Sequence, residues 1–318
     1  MAPLRALLTA SLLGANTVVH VLPLLLVALV KALLPLEPLR RACNGLLTGI
    51  AESWIGLNSW MLDHFTRTRV DVQLDAILRK DGHYLVLANH QSWVDIVVMQ
   101  RVFNRRIPLM RFFLKQQLIW VPLLGLAWWA LDFPFMGRHT PKQIARRPEL
   151  AGRDIEVTRR ACEKFRSIPV AIMNFVEGTR FTPAKHARQG SPYRHLLKPK
   201  SGGVAFVLDA MGEGLNAILD VTIAYPGGRP TMVDLLSGRV PEVRMHVRQR
   251  AIPEALLGGD YQSDRGFRAR FQQWMNSLWR EKDADIAHLL GEGTDAGQRK
   301  EGVEGSQGAA DPEAPPVA

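Results

Sequence analysis

From Ala6 to Val30 the chain carries no charged side chain and is dominated by Leu, Val and Ala. Such a run is long enough to cross the ~30 Å hydrocarbon layer of a bilayer. Asn16, His20 and Pro23 interrupt it. A cleaved signal peptide is the competing reading, because Arg5 precedes the apolar stretch. The stretch exceeds the ~7–15 residues of a signal's apolar core, and no small-residue cleavage pattern precedes Lys31. The segment is therefore expected to stay attached as an anchor.

A second stretch, Leu46 to Phe65, is apolar with Trp54 and Trp60 but contains Glu52, Asn58, Asp63 and His64. It reads as an amphipathic helix lying in the interface or re-entering rather than as a second span. Lys31, Arg40 and Arg41 follow the first segment and Arg5 precedes it, which places the following loop on the cytoplasmic side. The expected location is a membrane of the bacterial inner (cytoplasmic) type, with the domain that follows facing the cytoplasm.

From about Arg69 onward short β-branched runs alternate with helical stretches, the pattern of an α/β domain. The expected strands are Val70 to Leu74, Tyr84 to Ala88, Met110 to Leu114, Phe133 to Met136, Val170 to Phe175, Ile218 to Tyr225 and Val243 to Val247. Between them Trp93 to Phe103, Leu118 to Leu131, Asp154 to Phe165 and Gly203 to Met211 have helical periodicity. Phe267, Phe271, Trp274, Met275, Leu278 and Trp279 fall at helical spacing behind Asp264 as N-cap, with Arg268 and Arg270 facing away. That helix packs on the core or, alternatively, touches the bilayer. Residues 291–318 turn to Gly, Ala, Pro, Glu and Gln, which cannot support a packed core. The expected organisation is a membrane anchor over 1–66, an α/β domain over 67–290 with a central mixed sheet flanked by helices, and a disordered tail over 291–318.

Lys and Arg number 40 against 30 Asp and Glu. The excess favours anionic partners, whether nucleic acid, a phospholipid surface or phosphorylated small molecules. Two cysteines, Cys43 and Cys162, supply neither a disulfide framework nor a paired metal motif, as suits a reducing, cytosol-facing domain.

The chemistry concentrates at two strand ends. Asn89-His90-Gln91-Ser92-Trp93-Val94-Asp95 follows the strand Tyr84 to Ala88 and opens a helix, a corner where α/β folds commonly hold active sites. A carboxylate at Asp95 folds back to the His90 imidazole and fixes its tautomer, leaving the other ring nitrogen to take a proton from a hydroxyl. The alternative is that His90 and Asp95 merely cap a helix start. Phe175-Val176-Glu177-Gly178-Thr179-Arg180 ends the strand Val170 to Phe175. Gly178 permits close approach of a ligand to the backbone. Arg180 offers a planar fork for phosphate, Thr179 a hydroxyl, and Glu177 an acid able to hold a basic or hydroxyl partner; a plain surface turn is the alternative. Arg138, after Phe133-Pro134-Phe135-Met136-Gly137, would supply a second cation if it converged on the first.

These residues resemble the glycerolipid (lysophospholipid) acyltransferase family. Asn89, His90 and Asp95 look like its His-x4-Asp motif, and Phe175 to Arg180 resembles its Phe-x-Glu-Gly-Thr-Arg signature. Lys115, Leu118, Pro122 and Gly125 look like the intervening Lys-Leu-Pro-Gly spacing, and Phe135 to Arg138 like the strand-end Arg motif. The likeness spans roughly Val70 to Pro226. The last block, Asp220 to Pro226, departs from the apolar, proline-bearing run of the family. The resemblance implies an O-acyltransferase of the 1-acylglycerol-3-phosphate type. His90, held by Asp95, would deprotonate the acceptor hydroxyl, which attacks an acyl thioester directly to give phosphatidic acid. Arg180, Thr179 and Glu177 would bind the acceptor's phosphate region with Gly178, Lys115 and Arg138. The expected donor is acyl-CoA or acyl carrier protein, the expected partners are membrane phospholipids, and no metal or organic cofactor is implied.

Three rival readings are weaker. The pairs Arg105-Arg106, Arg146-Arg147 and Arg159-Arg160 suggest nucleic acid, but no zinc finger or RNA-binding signature accompanies them. A lipid hydrolase would use Ser92 beside His90 and Asp95, yet no Gly-x-Ser-x-Gly elbow is present. A non-catalytic scaffold would have no need of both His90 and Asp95. The other histidines lack paired metal-ligand spacing.

Overall fold

The computed structural model describes residues 2–34, 36–137, 146–147, 153–165 and 168–292. The chain opens with two long helices, α1 (Ala2–Leu33) and α2 (Glu37–Thr66), packed against each other. Among the described residues α1 is the one helix long and apolar enough to cross a membrane. Val18, Val19, Leu22, Leu26 and Leu29 on it are exposed. Some of the polar side chains in these stretches join the two helices. Asn16 donates to the Trp54 carbonyl and to Asn58 Oδ1, and the Trp54 indole donates to Thr17. Glu52 points away from α1 and meets Lys80 and Arg105 of the following domain at 3.1 and 3.8 Å. The second stretch is thus part of a hairpin fastened to the domain.

The α/β domain has a six-stranded sheet in the order β1-β8-β7-β2-β6-β3. The strands are β1 (Arg69–Asp75), β2 (His83–Ala88), β3 (Met110–Phe112), β6 (Val170–Phe175), β7 (Ala217–Ala224) and β8 (Glu242–Arg250). All neighbours run parallel except β7 and β8, so the sheet is mixed, as the sequence leads one to expect. Every strand of the central group is almost wholly buried, the signature of a sheet covered on both faces.

Period-two alternation sorts the side chains. Leu85, Leu87, Val170, Ile172 and Ile218 face α5 (Arg153–Phe165), α7 (Gly202–Met211) and α9 (Arg265–Leu289). Tyr84, Val86, Ala88, Ala171, Met173 and Leu219 face α3 (Val94–Phe103) and the end of α2 at Leu62. Phe267, Phe271, Met275, Leu278 and Trp279 of α9 are buried, which makes that helix a core element, and Asp264 caps it by accepting from the Phe267 N–H at 3.0 Å. Two short helices without a clear sequence signal, α6 (Pro183–Gln189) and α8 (Met232–Leu236), complete the set.

Three expectations change. Met110 to Leu114 is not one strand, because β3 ends at Phe112 and β4 (Leu114–Lys115) pairs with β5 (Phe135–Met136) in a separate two-stranded sheet. The expected strand Phe133 to Met136 is reduced to β5 and does not join the central sheet. Leu118 to Leu131 is two pieces, a 3-10 turn (Gln116–Trp120) and α4 (Leu124–Ala130). Pro122 disfavours helical backbone in the residue before it, and Leu123 takes φ +63°. Gly125 lies so close to the turn that an added Cβ would stand 2.0 Å from the Ile119 carbonyl oxygen. Residues 293–318, most of the expected tail, lie outside the described residues.

Candidate active site

Since β2, β6 and β7 are parallel neighbours, their C-terminal ends share one edge of the sheet, and three functional segments meet there. Asn89 locks β2 to β7: its Nδ2 donates to the Ile223 carbonyl at 2.9 Å and its Oδ1 accepts the Ile223 N–H at 2.8 Å. His90 comes next and Asp95 sits in the first turn of α3. His90 Nδ1 lies 2.8 Å from Asp95 Oδ2, and both residues are buried. Asp95 Oδ2 also accepts the N–H groups of Gln91 at 2.7 Å and Ser92 at 2.9 Å. Its other oxygen accepts the Tyr225 hydroxyl. A carboxylate held by four donors cannot swing away from the imidazole.

The ring of His90 stacks on Phe175 with centroids 3.9 Å apart. Among the described residues no group hydrogen-bonds its Nε2. The histidine is thus oriented on one side and free on the other, the arrangement of a general base.

The turn after β6 wraps around His90 from both sides. The His90 N–H donates to Glu177 Oε1 at 2.8 Å, and its carbonyl accepts the Phe181 N–H at 2.7 Å. Gly178, Thr179 and Arg180 form the arc between these two attachments. Gly178 has φ +67°, a conformation that other residues adopt only at a cost. Arg180 lies over the Trp93 ring at 4.7 Å, and Lys185 Nζ donates to Thr179 Oγ1 and the Arg180 carbonyl at 2.8 and 2.9 Å. Arg229 lies over the Phe181 ring at 4.4 Å.

Glu177 differs from its expected place on the substrate side. It is fully buried, with one carboxylate oxygen on the His90 N–H and the other on the Leu197 N–H at 3.0 Å. Burial pushes its pKa up to about 8, outweighing the two N–H bonds that favour the charged form. Lys115 is exposed on β4 and, among the described residues, makes no hydrogen bond or ion pair with the other site residues. Arg138 lies outside the described residues.

Sequence reasoning assigned no role to Tyr225, Lys185, Arg229 or α9. The last supports the site from beneath: the Trp279 indole donates to the Leu197 carbonyl at 3.0 Å, and buried Lys282 donates to the Val221 carbonyl at 2.7 Å beside Asp220. Asp220, the residue that breaks the apolar pattern of β7, is fully buried and also bonds Arg250 at 2.8 Å. The signals for Tyr225 were its place at the end of the expected strand Ile218 to Tyr225 and in the last block of the family likeness.

On the other side of Phe175 the rings continue to Phe112 and Phe133, with centroid spacings of 6.5 and 6.2 Å. Phe133 borders a cavity lined by Trp54, Ile55, Phe103, Met110 and Leu131, with Glu52 and Arg105 also on its wall.

A mixed sheet with helices on both faces, carrying a His-x4-Asp corner clasped by a Glu-Gly-Thr-Arg turn, defines an acyltransferase domain. Residues 69–226 match the acyltransferase family. The chain is 25% identical over 255 residues to 1-acyl-sn-glycerol-3-phosphate acyltransferase 3 of Arabidopsis thaliana, covering 73% of this chain and 61% of that one. It is 26% identical over 248 residues to lysocardiolipin acyltransferase 1 of Danio rerio, covering 74% and 59%. The chain thus spans about three fifths of the length of these curated relatives. Among solved structures, the 1-acyl-sn-glycerophosphate acyltransferase of Thermotoga maritima shares the fold with a TM-score of 0.51 at 16% identity, over 90% of this chain and 98% of that one.

Proposed function

We propose that this protein transfers a fatty acyl group from a thioester, acyl-CoA or acyl carrier protein, to the free hydroxyl of a lysophospholipid. The acceptor we assign is 1-acylglycerol-3-phosphate and the product phosphatidic acid. The observation that carries this reading is His90, fixed through Nδ1 by Asp95 and open at Nε2, inside an arc of backbone that presents Thr179 and Arg180.

In this mechanism Nε2 takes the proton of the acceptor hydroxyl as its oxygen attacks the thioester carbonyl. The C–S bond then breaks and the thiolate receives the proton from the imidazolium. Asp95 stabilises the transient imidazolium, a contribution of ~10²–10⁴-fold for such acid–base catalysis. Arg180 and Thr179 hold the acceptor's phosphate, and Glu177 positions the His90 backbone rather than touching substrate. The cavity beyond Phe175 suits the acyl chain, which its aromatic and aliphatic wall would hold, with Glu52 and Arg105 at another part of the lining. The exposed apolar side of α1 supports a seat at a membrane, from which the acceptor is drawn, and in this reading the domain lies on the cytoplasmic side.

Hydrolysis through Ser92 finds less support, since Ser92 Oγ donates to the Pro230 carbonyl at 2.5 Å and accepts from the Val94 N–H. The test is the purified full chain in detergent with labelled acyl-CoA and a panel of lysophospholipids. Labelled diacyl product from wild type and none from folded His90→Ala is the expected result. Release of free fatty acid with no acylated acceptor, abolished by Ser92→Ala, would replace this reading with hydrolysis.

A further inference from the structure

The arc Gly178-Thr179-Arg180 is more basic than its own sequence. Lys200, more than twenty residues on, is bound to the same strand end, its N–H donating to the Val176 carbonyl at 2.8 Å. Its side chain then lies across Gly178: a Cβ at position 178 would stand 3.1 Å from Lys200 Cδ and 3.2 Å from its Nζ. Position 178 therefore serves two purposes, since the glycine adopts the left-handed turn and also leaves the space the lysine occupies.

Four cations now surround one short stretch of backbone. Arg180 rests on Trp93, Arg229 on Phe181, Lys185 on Thr179, and Lys200 on Gly178. Among the described residues none of the four makes an ion pair. Several other surface cations are matched, as with Arg159 and Arg160 on Glu156 or Arg239 on Asp234. Glu177, the acid of this turn, faces inward with its two oxygens on the His90 and Leu197 N–H groups, so it does not pair with them. Cations gathered without a counter-charge raise the local concentration of anionic ligand and await one.

We propose that Lys200 is a binding residue for the phosphomonoester of the acceptor, completing with Arg180 a two-cation clamp across Gly178. This rests on the acyl-transfer reading above. A phosphomonoester near neutral pH carries close to two negative charges and three acceptor oxygens. Arg180 supplies a planar fork for two oxygens and the Lys200 ammonium a point charge for the third. Lys185 keeps Thr179 and the Arg180 carbonyl in place, so that the fork projects from a fixed turn.

The experiment is steady-state kinetics of the purified full chain with acyl-CoA and lysophosphatidate, comparing wild type, Lys200→Met, Lys200→Gln and Lys200→Arg, with thermal melts as the folding control. The two neutral variants are expected to raise the lysophosphatidate KM about ten-fold or more, leave the acyl-CoA KM unchanged, and lose most of the inhibition by inorganic phosphate. Lys200→Arg is expected to recover much of the loss. An unchanged acceptor KM in a folded neutral variant overturns the proposal, as does a rise confined to the acyl-CoA KM, which would give Lys200 to the donor's phosphates. The two readings fail separately. If wild type acylates lysophosphatidate and His90→Ala does not, while the Lys200 variants behave as wild type, acyl transfer stands and the clamp falls.

Discussion

The Tyr225 hydroxyl donates to Asp95 Oδ1 at 2.5 Å, while His90 uses Oδ2 of the same carboxylate at 2.8 Å. His90 and Tyr225 follow two neighbouring parallel strands, so sheet geometry brings the Tyr225 hydroxyl to the carboxylate that the strand-to-helix corner has already set against His90. Tyr225→Phe keeps the ring in its pocket and removes one of four donors to Asp95. A hydrogen bond to a charged group is worth ~1.5–3 kcal/mol. The expected result is a fall in kcat of about ten-fold or more with little change in either KM, measured by steady-state acylation.

Glu177 makes stability depend on pH. Its folded pKa is raised from 4.5 to about 8, burial being the main cause. Between those values the native state binds more protons than the unfolded chain, so stability falls as pH rises and levels off above about 8. Glu177→Gln removes this dependence. Thermal melts from pH 5 to 8 should show the variant gaining on wild type as pH increases; parallel curves would mean that the buried carboxyl is ionised throughout.

Gly178→Ala introduces a Cβ at φ +67° and 3.1 Å from Lys200 Cδ. Left-handed backbone costs a non-glycine residue ~1–2 kcal/mol, and the lysine must move. The variant should melt a few degrees lower and show a raised acceptor KM, whereas alanine at exposed Gly190, also at positive φ but with nothing within 4 Å, should lower the melting temperature alone.

Lys282 and Asp220 are both fully buried. Burial pulls the lysine's pKa down, while Asp220, held low by its cations against the opposing effect of burial, keeps the pair charged. Removing Lys282 leaves Asp220 with Arg250 but takes away its buried partner, a loss toward the ~3–5 kcal/mol typical of a broken buried pair. Lys282→Met should therefore destabilise strongly in urea or thermal unfolding. The double change Lys282→Met with Asp220→Asn should recover part of that loss.

The sequence carries the local parts of this site because they are set by short spacing. His90 and Asp95 lie within one strand-to-helix corner, and Thr179 and Arg180 within one turn, so residue type and position relative to a strand end suffice to pick them out. Long-range partners leave no such trace. Tyr225 lies 130 residues from Asp95 in the chain, and Lys200 meets Gly178 only because its N–H bonds the Val176 carbonyl just past β6. The inward orientation of Glu177 depends on the N–H groups of His90 and Leu197, which no periodicity displays. In the fold, the strongly apolar strands and the mixed sheet are legible, but strand order is not. Apolar content alone also failed to reveal the breaks at Phe113 and Pro122, where a short strand leaves the sheet and a helix is cut in two.

Glu52 on α2 is held by Lys80 and Arg105, and the same helix covers Leu109, Leu131 and Phe133 through Leu47, Ala51 and Ile55. The hairpin is therefore a wall of the catalytic domain as well as the proposed attachment to lipid. Cutting the chain after Thr66 to obtain a soluble enzyme would open the cavity beyond Phe175 to water and leave two cations without their carboxylate. Production for crystallography or screening is better served by keeping α1 and α2 and replacing exposed apolar residues such as Leu22, Leu26 and Leu29, which face outward and support nothing beneath them.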